Sequence, residues 1–454
     1  MKTPRKPRTT PTTRTPRTTR LSRTSRPGAA HQLAALAETA LGGPLPLALR
    51  AWDGSEAGPA GGPVVVIRSR RALRRLLWQP GELGLAQAYI TGEIDVEGDL
   101  ADGLRAMWAA ARERRLHAPR LGPGDLSRAA GTALLLGAAG PRPPVPASQA
   151  RLRGGLHTKA RDRAAISHHY DLSNDFYRLL LDETMAYSCG YWTRQDPDFT
   201  AADAQRAKLE LICRKLDLRP GARLLDIGCG WGSLTLYAAE RHRAKVTAVT
   251  LAGEQAAHVR EQVAERGLRD LVEVVCQDYR DITGGGYDAV SAVEMGEHVG
   301  PAGYPAFAAA LHRLVRPRGR VLVQQMSRGA TAPGGGAFIE AYIAPDMHMR
   351  PLGETVALLE EAGLEVRSAE SLREHYVLTV AAWHRTLEER WADFVALVGE
   401  ETARVWRLYL VGAALAFEER RMGVDQVLAV RPTADGRAGM PAAPGGWQAA
   451  RDSG

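Results

Sequence analysis

The sequence predicts an α/β protein whose main domain has a mostly parallel sheet, preceded by a small N-terminal domain and a basic tail. From about residue 156, strand-like runs alternate with helical ones: RLLDIG precedes SLTLYAAERH, KVTAVTL precedes EQAAHVREQVAERG, and YDAVSAVE precedes AGYPAFAAALHRLV. This alternation is typical of right-handed βαβ units, in which helices cover both faces of a parallel sheet. Ligands of such sheets bind at the carboxyl ends of the strands. A helical region is expected after the last of these strands.

Composition shifts divide the chain into five segments. We expect a disordered basic tail at 1–28, a small N-terminal lipid-associated domain at 29–140, a linker at 141–155, the main domain at 156–430 and a flexible tail at 431–454. The segment PVVVIRSRRALRRLLW predicts a strand that runs into a basic amphipathic helix. The linker follows from the prolines at 141, 143, 144 and 146 with glycines around them. These limits fit the prior for a chain of 454 residues, which is two domains with tails.

The basic character of the chain is confined to the first tail. The formal net charge is +8, but residues 1–28 hold nine Lys or Arg and no acid, so the remainder is close to neutral. A Thr/Pro/Arg-rich segment with almost nothing apolar to bury is expected to be disordered. It either has no specific ligand or adheres to an anionic membrane surface. No nucleic-acid-binding motif accompanies it, so no specific nucleic acid is expected.

Further features of the sequence argue against a membrane-spanning protein, a secretory signal and a metal or disulfide framework. No run of about 20 apolar residues is present, and the N-terminus lacks the apolar core of a secretory signal. The four cysteines are widely spaced without a CxxC pair, which argues against a zinc site and a disulfide framework. No clustered ligands predict a metal. We therefore expect a cytoplasmic protein that associates peripherally with membranes.

The glycine turn LLDIGCGWG predicts the cofactor. Gly228 and Gly230 let the backbone approach a ligand, although this pattern also occurs in dinucleotide-binding folds. A dinucleotide site needs an acid at the end of the second strand, where VTAVTLAGEQ has none. Asp226 instead precedes the first glycine, where its carboxylate can pair with the amino group of S-adenosylmethionine. The sequence thus favours a class I (Rossmann-like) methyltransferase domain.

Five motifs, among them this glycine turn, carry a family resemblance. The blocks ISHHYDLSNDFYRLLLDETMAYSCGYW, LLDIGCGWG, VTLAGEQ, CQDYRD and EHVG occur in this order. They resemble the cyclopropane-fatty-acyl-phospholipid synthases and mycolic acid cyclopropane synthases over about residues 156–425. The resemblance implies a transferase that moves the methyl carbon of S-adenosylmethionine to the double bond of an unsaturated phospholipid acyl chain.

The resemblance also assigns cofactor contacts by position. Tyr187 and Ser188 are expected to cover the cofactor, and the two glycines to line its methionine part. The ribose and adenine sides are expected to be formed by Thr250, Leu251, Gln255, Asp278 and Tyr279. Aromatic faces can stabilise a carbocation in such a pocket; the candidates are Tyr170, Phe176, Tyr187, Tyr191 and Trp192.

The resemblance also implies a base. In the family that this chain resembles, a carbonate ion acts as base and is held by a cysteine, a glutamate, a histidine and a tyrosine. Cys189, Glu297 and Tyr376 match three of these. Gln324 in VLVQQMS stands in the place of the histidine. A second departure is Glu294 in VEMGEHVG, where family members usually carry glycine.

The two departures suggest one hypothesis. A glutamate that reaches the space of the carbonate would be a tethered equivalent, so Glu294 is expected to replace carbonate wholly or partly, and bound carbonate is in doubt. An apolar cleft would raise its pKa toward working pH, as a general base needs. The alternative is that Glu294 contacts the cofactor or caps the helix that starts near Pro301.

The expected product is a cyclopropane fatty acid. The alternatives are a 10-methylene-type branched fatty acid with Glu294 as base, methylation of a soluble small molecule, and a non-catalytic lipid- or nucleic-acid-binding protein. A reductase and a second copy of the chain stay open as partners.

Overall fold

The computed structural model describes residues 27–114, 122–150, 161, 174–329, 336–443 and 445. Most of the 1–28 tail, the last five residues of the 141–155 linker, Tyr170 and the end of the 431–454 tail lie outside the described residues. The predicted α/β class is confirmed by the part that is described.

A seven-stranded sheet forms the centre of the main domain. Its order is β10-β11-β9-β8-β5-β6-β7. Neighbouring strands from β9 to β7 pair in parallel, and only β11 runs opposite to the other six. The strands are β5 (Arg223–Ile227), β6 (Lys245–Thr250), β7 (Val272–Cys276), β8 (Tyr287–Val293), β9 (Val315–Ser327), β10 (Glu365–Ser371) and β11 (Gly423–Val430).

Both faces of this sheet are buried because successive side chains of a strand point to opposite sides. Leu224 packs with one group of helices, and the next residue, Leu225, packs with another. The first group is α7 (Ala201–Lys215), α8 (Ser233–His242) and α9 (Gly253–Glu265), and the second is α10 (Tyr304–Leu314) and α12 (Leu352–Glu361). The near-continuous apolar strand sequences follow from this double coverage.

A third helical layer lies beyond the carboxyl ends of the strands. It consists of α6 (Asn174–Leu180), α11 (Ala337–Tyr342), α13 (Arg373–Glu389) and α14 (Trp391–Glu418), which share one apolar cluster. The helical region expected after the predicted strands is present, but two strands that were not predicted, β10 and β11, also form there. The sequence of β11, GVDQVLAV, is buried along almost its whole length between two strands, so it lacks the alternation that marks a half-exposed strand.

The N-terminal elements form a separate four-stranded sheet of order β2-β1-β3-β4, with its own apolar cluster. Its strands are β1 (Ala48–Ala51), β2 (Glu56–Ala57), β3 (Val64–Ile67) and β4 (Ile94–Glu97), and its helices are α1 (Ala29–Leu41), α2 (Arg70–Trp78), α3 (Glu82–Ile90), α4 (Leu100–Glu113) and α5 (Pro123–Leu135). The predicted strand and basic helix correspond to β3 and α2, and the Ser69 hydroxyl caps the helix by accepting from Arg71 N–H. The domain limits stay predictions.

Candidate active site

A cavity of about 470 Å³, here the glycine-turn cavity, opens at the carboxyl ends of β5, β6 and β8. The turn after β5 lines it with Gly228 and Gly230, whose φ angles of 77° and 55° lie in the left-handed region. A Cβ at Gly228 would stand 3.0 Å from Met295 Cγ, whereas nothing lies within 4 Å of one at Gly230. The backbone is therefore bare toward the cavity, as a closely bound ligand requires.

Most of the predicted cofactor residues line this cavity together. They are Tyr187, Ser188, Asp226, Gly228, Gly230, Thr250, Leu251, Gln255 and Tyr279. Gln255 is buried, and its Oε1 accepts from the Thr250 hydroxyl at 2.8 Å, while its Nε2 has no hydrogen-bond partner among the described residues. A buried amide donor left open toward a cavity fits a polar ligand such as a ribose or methionine group.

The two predicted acids differ in their placement. Asp226 lines the cavity, but its oxygens already accept from Ser291 at 2.9 Å and Thr235 at 2.8 Å, and burial raises its pKa. Asp278 does not line the cavity in the described part of the chain, because its carboxylate forms a bidentate pair with Arg280. The neighbours of Asp278 in the sequence, Tyr279 and Arg280, line the cavity instead.

A buried lysine that the sequence analysis missed also lines the glycine-turn cavity. Lys208 on α7 is 1 % exposed, and its Nζ donates to the Ser188 hydroxyl at 2.9 Å. Burial lowers its pKa, while the charge of Glu294 acts in the opposite direction. It lies on the buried face of an amphipathic helix, where sequence periodicity gives no reason to place a cation.

Glu294 follows the last residue of β8 on a left-handed backbone with φ 51°. Its partly buried carboxylate accepts three hydrogen bonds: from the backbone N–H of Cys189 at 2.8 Å, from Gln324 Nε2 at 2.8 Å and from the hydroxyl of Tyr376 at 2.6 Å. Burial raises its pKa, and these three hydrogen bonds oppose the rise. The structure does not support the alternative helix-cap role, since α10 begins only at Tyr304 and the carboxylate points to other partners.

The orientation of Gln324 is fixed by a buried relay. Gln426 lies directly opposite it on β11 and donates from Nε2 to Gln324 Oε1 at 2.8 Å. Gln426 Oε1 in turn accepts from Lys215 Nζ at 2.7 Å. Because an ammonium group can only donate, Lys215 sets both amides so that Gln324 presents its N–H to Glu294.

The other two predicted catalytic residues surround this carboxylate without binding it through their side chains. The thiol of Cys189 donates to the carbonyl oxygens of Gly190 and Leu372 at 3.3 and 3.6 Å, and burial raises its pKa well above the ordinary value. Glu297 is fully buried in a single 3-10 turn, Gly296–His298, and neither carboxyl oxygen has a well-formed hydrogen bond with the described residues. Burial, followed by the charge of Glu294, raises its pKa to about 8.

A buried arginine holds the loop that carries both glutamates. Arg350 donates to the carbonyl oxygens of Gly296 at 3.2 Å and Val299 at 2.9 Å. Its guanidinium group also lies 3.8 Å from the ring centroid of Tyr304. These contacts tie both ends of the Gly296–Val299 turn to one side chain and so hold the loop that follows Glu294.

A second cavity of about 580 Å³, here the interdomain cavity, lies between the N-terminal domain and the main domain. Its lining is mostly aliphatic and aromatic, with residues from α3, α4 and β4 on one side and from β9, α11, α13 and α14 on the other. Tyr187, Glu294 and His298 line both cavities. The carboxylate of Glu294 is therefore positioned where a polar ligand site meets an apolar chain site.

Of the predicted aromatic candidates in the described residues, Tyr187 alone lines either cavity, and Tyr409 joins it from α14. Their hydroxyls are 3.1 Å apart in a hydrogen bond. Among the described residues no group of three His, Cys, Asp or Glu side chains could hold a metal ion, and no helix is long and apolar enough to cross a bilayer.

Comparison with known proteins agrees with this geometry. Residues 157–427 match the model of the mycolic acid cyclopropane synthetase family. The chain belongs to the mycolic acid cyclopropane synthetase family. The predicted resemblance is thereby confirmed.

Two relatives and one solved structure illustrate the match. A probable fatty acid methyltransferase of Pseudomonas putida is 38% identical over 409 residues, 87% of this chain and 95% of that protein. The cyclopropane-fatty-acyl-phospholipid synthase of Escherichia coli is 33% identical over 282 residues, 62% of this chain and 71% of its own length. A mycolic acid cyclopropane synthase complexed with SAH and CTAB has 31% identity and a TM-score of 0.55, covering 59% of this chain and 97% of that structure.

This member of the cyclopropane synthetase family is an S-adenosylmethionine-dependent methyltransferase that acts on unsaturated fatty acyl chains. The predicted enzyme class and cofactor are confirmed. The residues of the glycine-turn cavity fit the cofactor, because bare glycines, an open amide donor and a buried cation line one space.

Proposed function

We propose that the enzyme methylates the double bond of an acyl chain lying in the interdomain cavity, with Glu294 as the base that completes the reaction. One observation carries the proposal: the Glu294 carboxylate lines both cavities and is held by donors from three separate elements. S-adenosylmethionine supplies an electrophilic sulfonium methyl group when bound.

The donors around Glu294 support its role as a tethered replacement for carbonate. The resemblance assigns carbonate binding to a cysteine, a glutamate, a tyrosine and a residue at the position of Gln324. All of these but the glutamate, Glu297, bind the Glu294 carboxylate, Cys189 through its backbone N–H. Because a side chain already engages those donors, the residues present do not fit a carbonate ion.

The proposed reaction has two steps, methyl transfer and proton loss. The alkene forms a C–C bond to the methyl carbon as its bond to sulfur breaks, which leaves a carbocation on the neighbouring acyl carbon. The aromatic ring of Tyr187 borders this point and stabilises positive charge through its face. The buried, apolar wall excludes water that would trap the cation, and Glu294 accepts one proton from the added methyl group.

Two products are compatible with the same proton acceptor. Immediate loss of a methyl proton closes a cyclopropane ring. A hydride shift from the methylated carbon before proton loss gives an exocyclic methylene instead. Burial raises the pKa of Glu294, and three hydrogen bonds to its ionised form limit that rise. A base whose strength is limited in this way leaves the cation more time for the hydride shift. We therefore propose the methylene product ahead of the cyclopropane expected from the sequence.

The test is the structure of the lipid product. Expression in a host with monounsaturated lipids, followed by mass spectrometry, is expected to give chains heavier by one CH₂ group. Proton NMR separates vinylidene protons from the upfield ring protons of a cyclopropane. Glu294→Gln is expected to lower turnover about 10²–10⁴-fold, whereas Glu360→Gln, an exposed control on α12, is not. Full activity of Glu294→Gln would contradict the base assignment.

We also propose that the acyl chain belongs to a membrane phospholipid and that the enzyme binds the bilayer surface through its N-terminal domain. Exposed apolar side chains support this, including Trp78 at 54% and Leu135 at 81% exposure. The Trp78 indole donates to Gly140 O, so these segments adjoin. Sedimentation with anionic vesicles tests the proposal: binding that survives Trp78→Ser with Leu135→Ser would contradict it. A reductase partner and a homodimer stay predictions.

A further inference from the structure

The interdomain cavity has one end at which two arginines meet an apolar wall. Arg328 follows β9, and Arg421 lies in the turn between α14 and β11; both line the cavity. Leu85 also lines this cavity and is 51% exposed, so the wall that it forms reaches the solvent. Neither arginine has a role in the chemistry proposed above.

Two carboxylates lie near these arginines. Arg421 Nε pairs with Glu419 at 3.0 Å, and Glu419 also pairs with Arg112 at 2.6 Å. Glu82 lines the same cavity and accepts from the backbone N–H of Ala337 at 3.2 Å. Arg421 therefore shares its carboxylate partner with a second arginine.

The two cations also act on each other. Burial and the charge of Arg421 lower the pKa of Arg328, while Glu82 opposes this effect. The guanidinium of Arg421 lies 3.9 Å from the ring centroid of Trp108, which fixes it against the cavity wall. An anion between two such groups would relieve their repulsion and accept charge-assisted hydrogen bonds from both.

The distance from this pair to the base can be estimated along β9. Gln324, which binds Glu294, and Arg328 are four residues apart, with Met326 between them also lining the cavity. Alternate residues of a strand share a face, and the spacing corresponds to about 13 Å, the length of roughly ten methylene groups. An acyl chain with its head at the arginines would therefore bring a mid-chain double bond to Glu294.

We infer that Arg328 and Arg421 form a binding site for the anionic head of the acyl substrate, a phosphate or a carboxylate. The inference rests on the proposed function, since it takes the interdomain cavity to hold the acyl chain. It adds a polar site that holds the head of the acyl chain at a fixed distance from Glu294. The position of methylation then depends on the spacing between Gln324 and Arg328.

The test measures binding of three saturated amphiphiles that cannot react: hexadecyl phosphate, hexadecanoate and hexadecanol. Arg328→Gln and Arg421→Gln are each expected to weaken binding of hexadecyl phosphate and hexadecanoate about five- to tenfold. This is the effect of losing one charge-assisted hydrogen bond at a partly exposed site. Binding of hexadecanol is expected to stay unchanged. Arg420→Gln is the matched control, because Arg420 is an exposed neighbour that does not line the cavity in the described residues.

Unchanged affinity for S-adenosylmethionine would establish that each variant is folded. A greater loss for hexadecyl phosphate than for hexadecanoate identifies a phospholipid head, and the reverse identifies a fatty acid carboxylate; both support the site. Equal binding of all three amphiphiles by the wild type, or equal weakening of all three in the variants, overturns it. Failure of the wild type to methylate any unsaturated chain would overturn the proposed function separately, because these binding measurements need no turnover.

Discussion

Replacing Glu294 with glycine converts the proposed internal base into a binding site for an external one. Glu294 occupies a left-handed position with φ 51°, which costs an L-residue roughly 1–2 kcal/mol and costs glycine little. The substitution therefore relieves backbone strain. It also removes the acceptor for three donors, which are the Cys189 N–H, the Gln324 amide and the Tyr376 hydroxyl.

The cost of leaving these three donors without an acceptor outweighs the relief of backbone strain. Each buried donor left without a partner costs about 1–3 kcal/mol, so the glycine variant is expected to be roughly 3 kcal/mol less stable after the strain relief is included. Turnover is expected to fall about 10²–10⁴-fold because no base remains. A small carboxylate-like anion that fills the vacated space would restore both quantities, since it binds the same three donors.

The assay combines thermal unfolding and lipid methylation with increasing bicarbonate or formate. Recovery of melting temperature and turnover at matching anion concentrations is the expected result. Glu294→Gln is the matched control, because its amide fills the space and leaves no room for an anion. Full activity of the glycine variant without added anion, or equal restoration of the glutamine variant by bicarbonate, would contradict the role of Glu294 as base.

Three further outcomes are expected. Gln426→Leu frees the amide of Gln324 to turn its oxygen toward Glu294, so turnover should fall about tenfold without a change in KM for S-adenosylmethionine, as steady-state kinetics would report. Tyr376→Phe removes the 2.6 Å hydrogen bond to Glu294 and makes the carboxylate more basic, so NMR of the lipid product should show more cyclopropane relative to methylene. The pKa of Glu297 is raised from 4.5 to about 8, so the stability due to its buried protonated form is complete below pH 4.5 and is lost as the pH rises toward about 8. The melting temperature of the wild type relative to Glu297→Gln should therefore fall across that interval; a constant difference would contradict the shift.

The parallel part of the sheet could be predicted because each strand and helix is marked locally. The two strands after it could not, since β11 is buried along almost its whole length and its direction depends on pairing with β9. The approach of Glu294 to Gln324 was predictable because β8 and β9 adjoin in a parallel sheet and both end at the same edge.

The residues that orient Gln324 could not be predicted from sequence patterns. Gln426 and Lys215 are separated by 211 positions and meet only because β11 enters the sheet beside β9. Lys208 was missed for a similar reason, since a cation on the buried face of a helix is normally a poor prediction. Its function depends on the cavity formed by α7 with the turn after β5.

The strained backbone and the role of Glu294 have one physical cause. A side chain that leaves β8 in an ordinary extended conformation would continue the alternation of the strand, whereas the left-handed turn directs the carboxylate to donors on three other elements. Those hydrogen bonds offset the strain, and Arg350 holds the following loop in place. A base fixed in this way cannot dissociate, so its availability depends on its own protonation and not on the concentration of an ion in solution. The same hydrogen bonds limit the rise in its pKa that burial causes, and we propose that this limit gives the carbocation time to rearrange before the proton leaves.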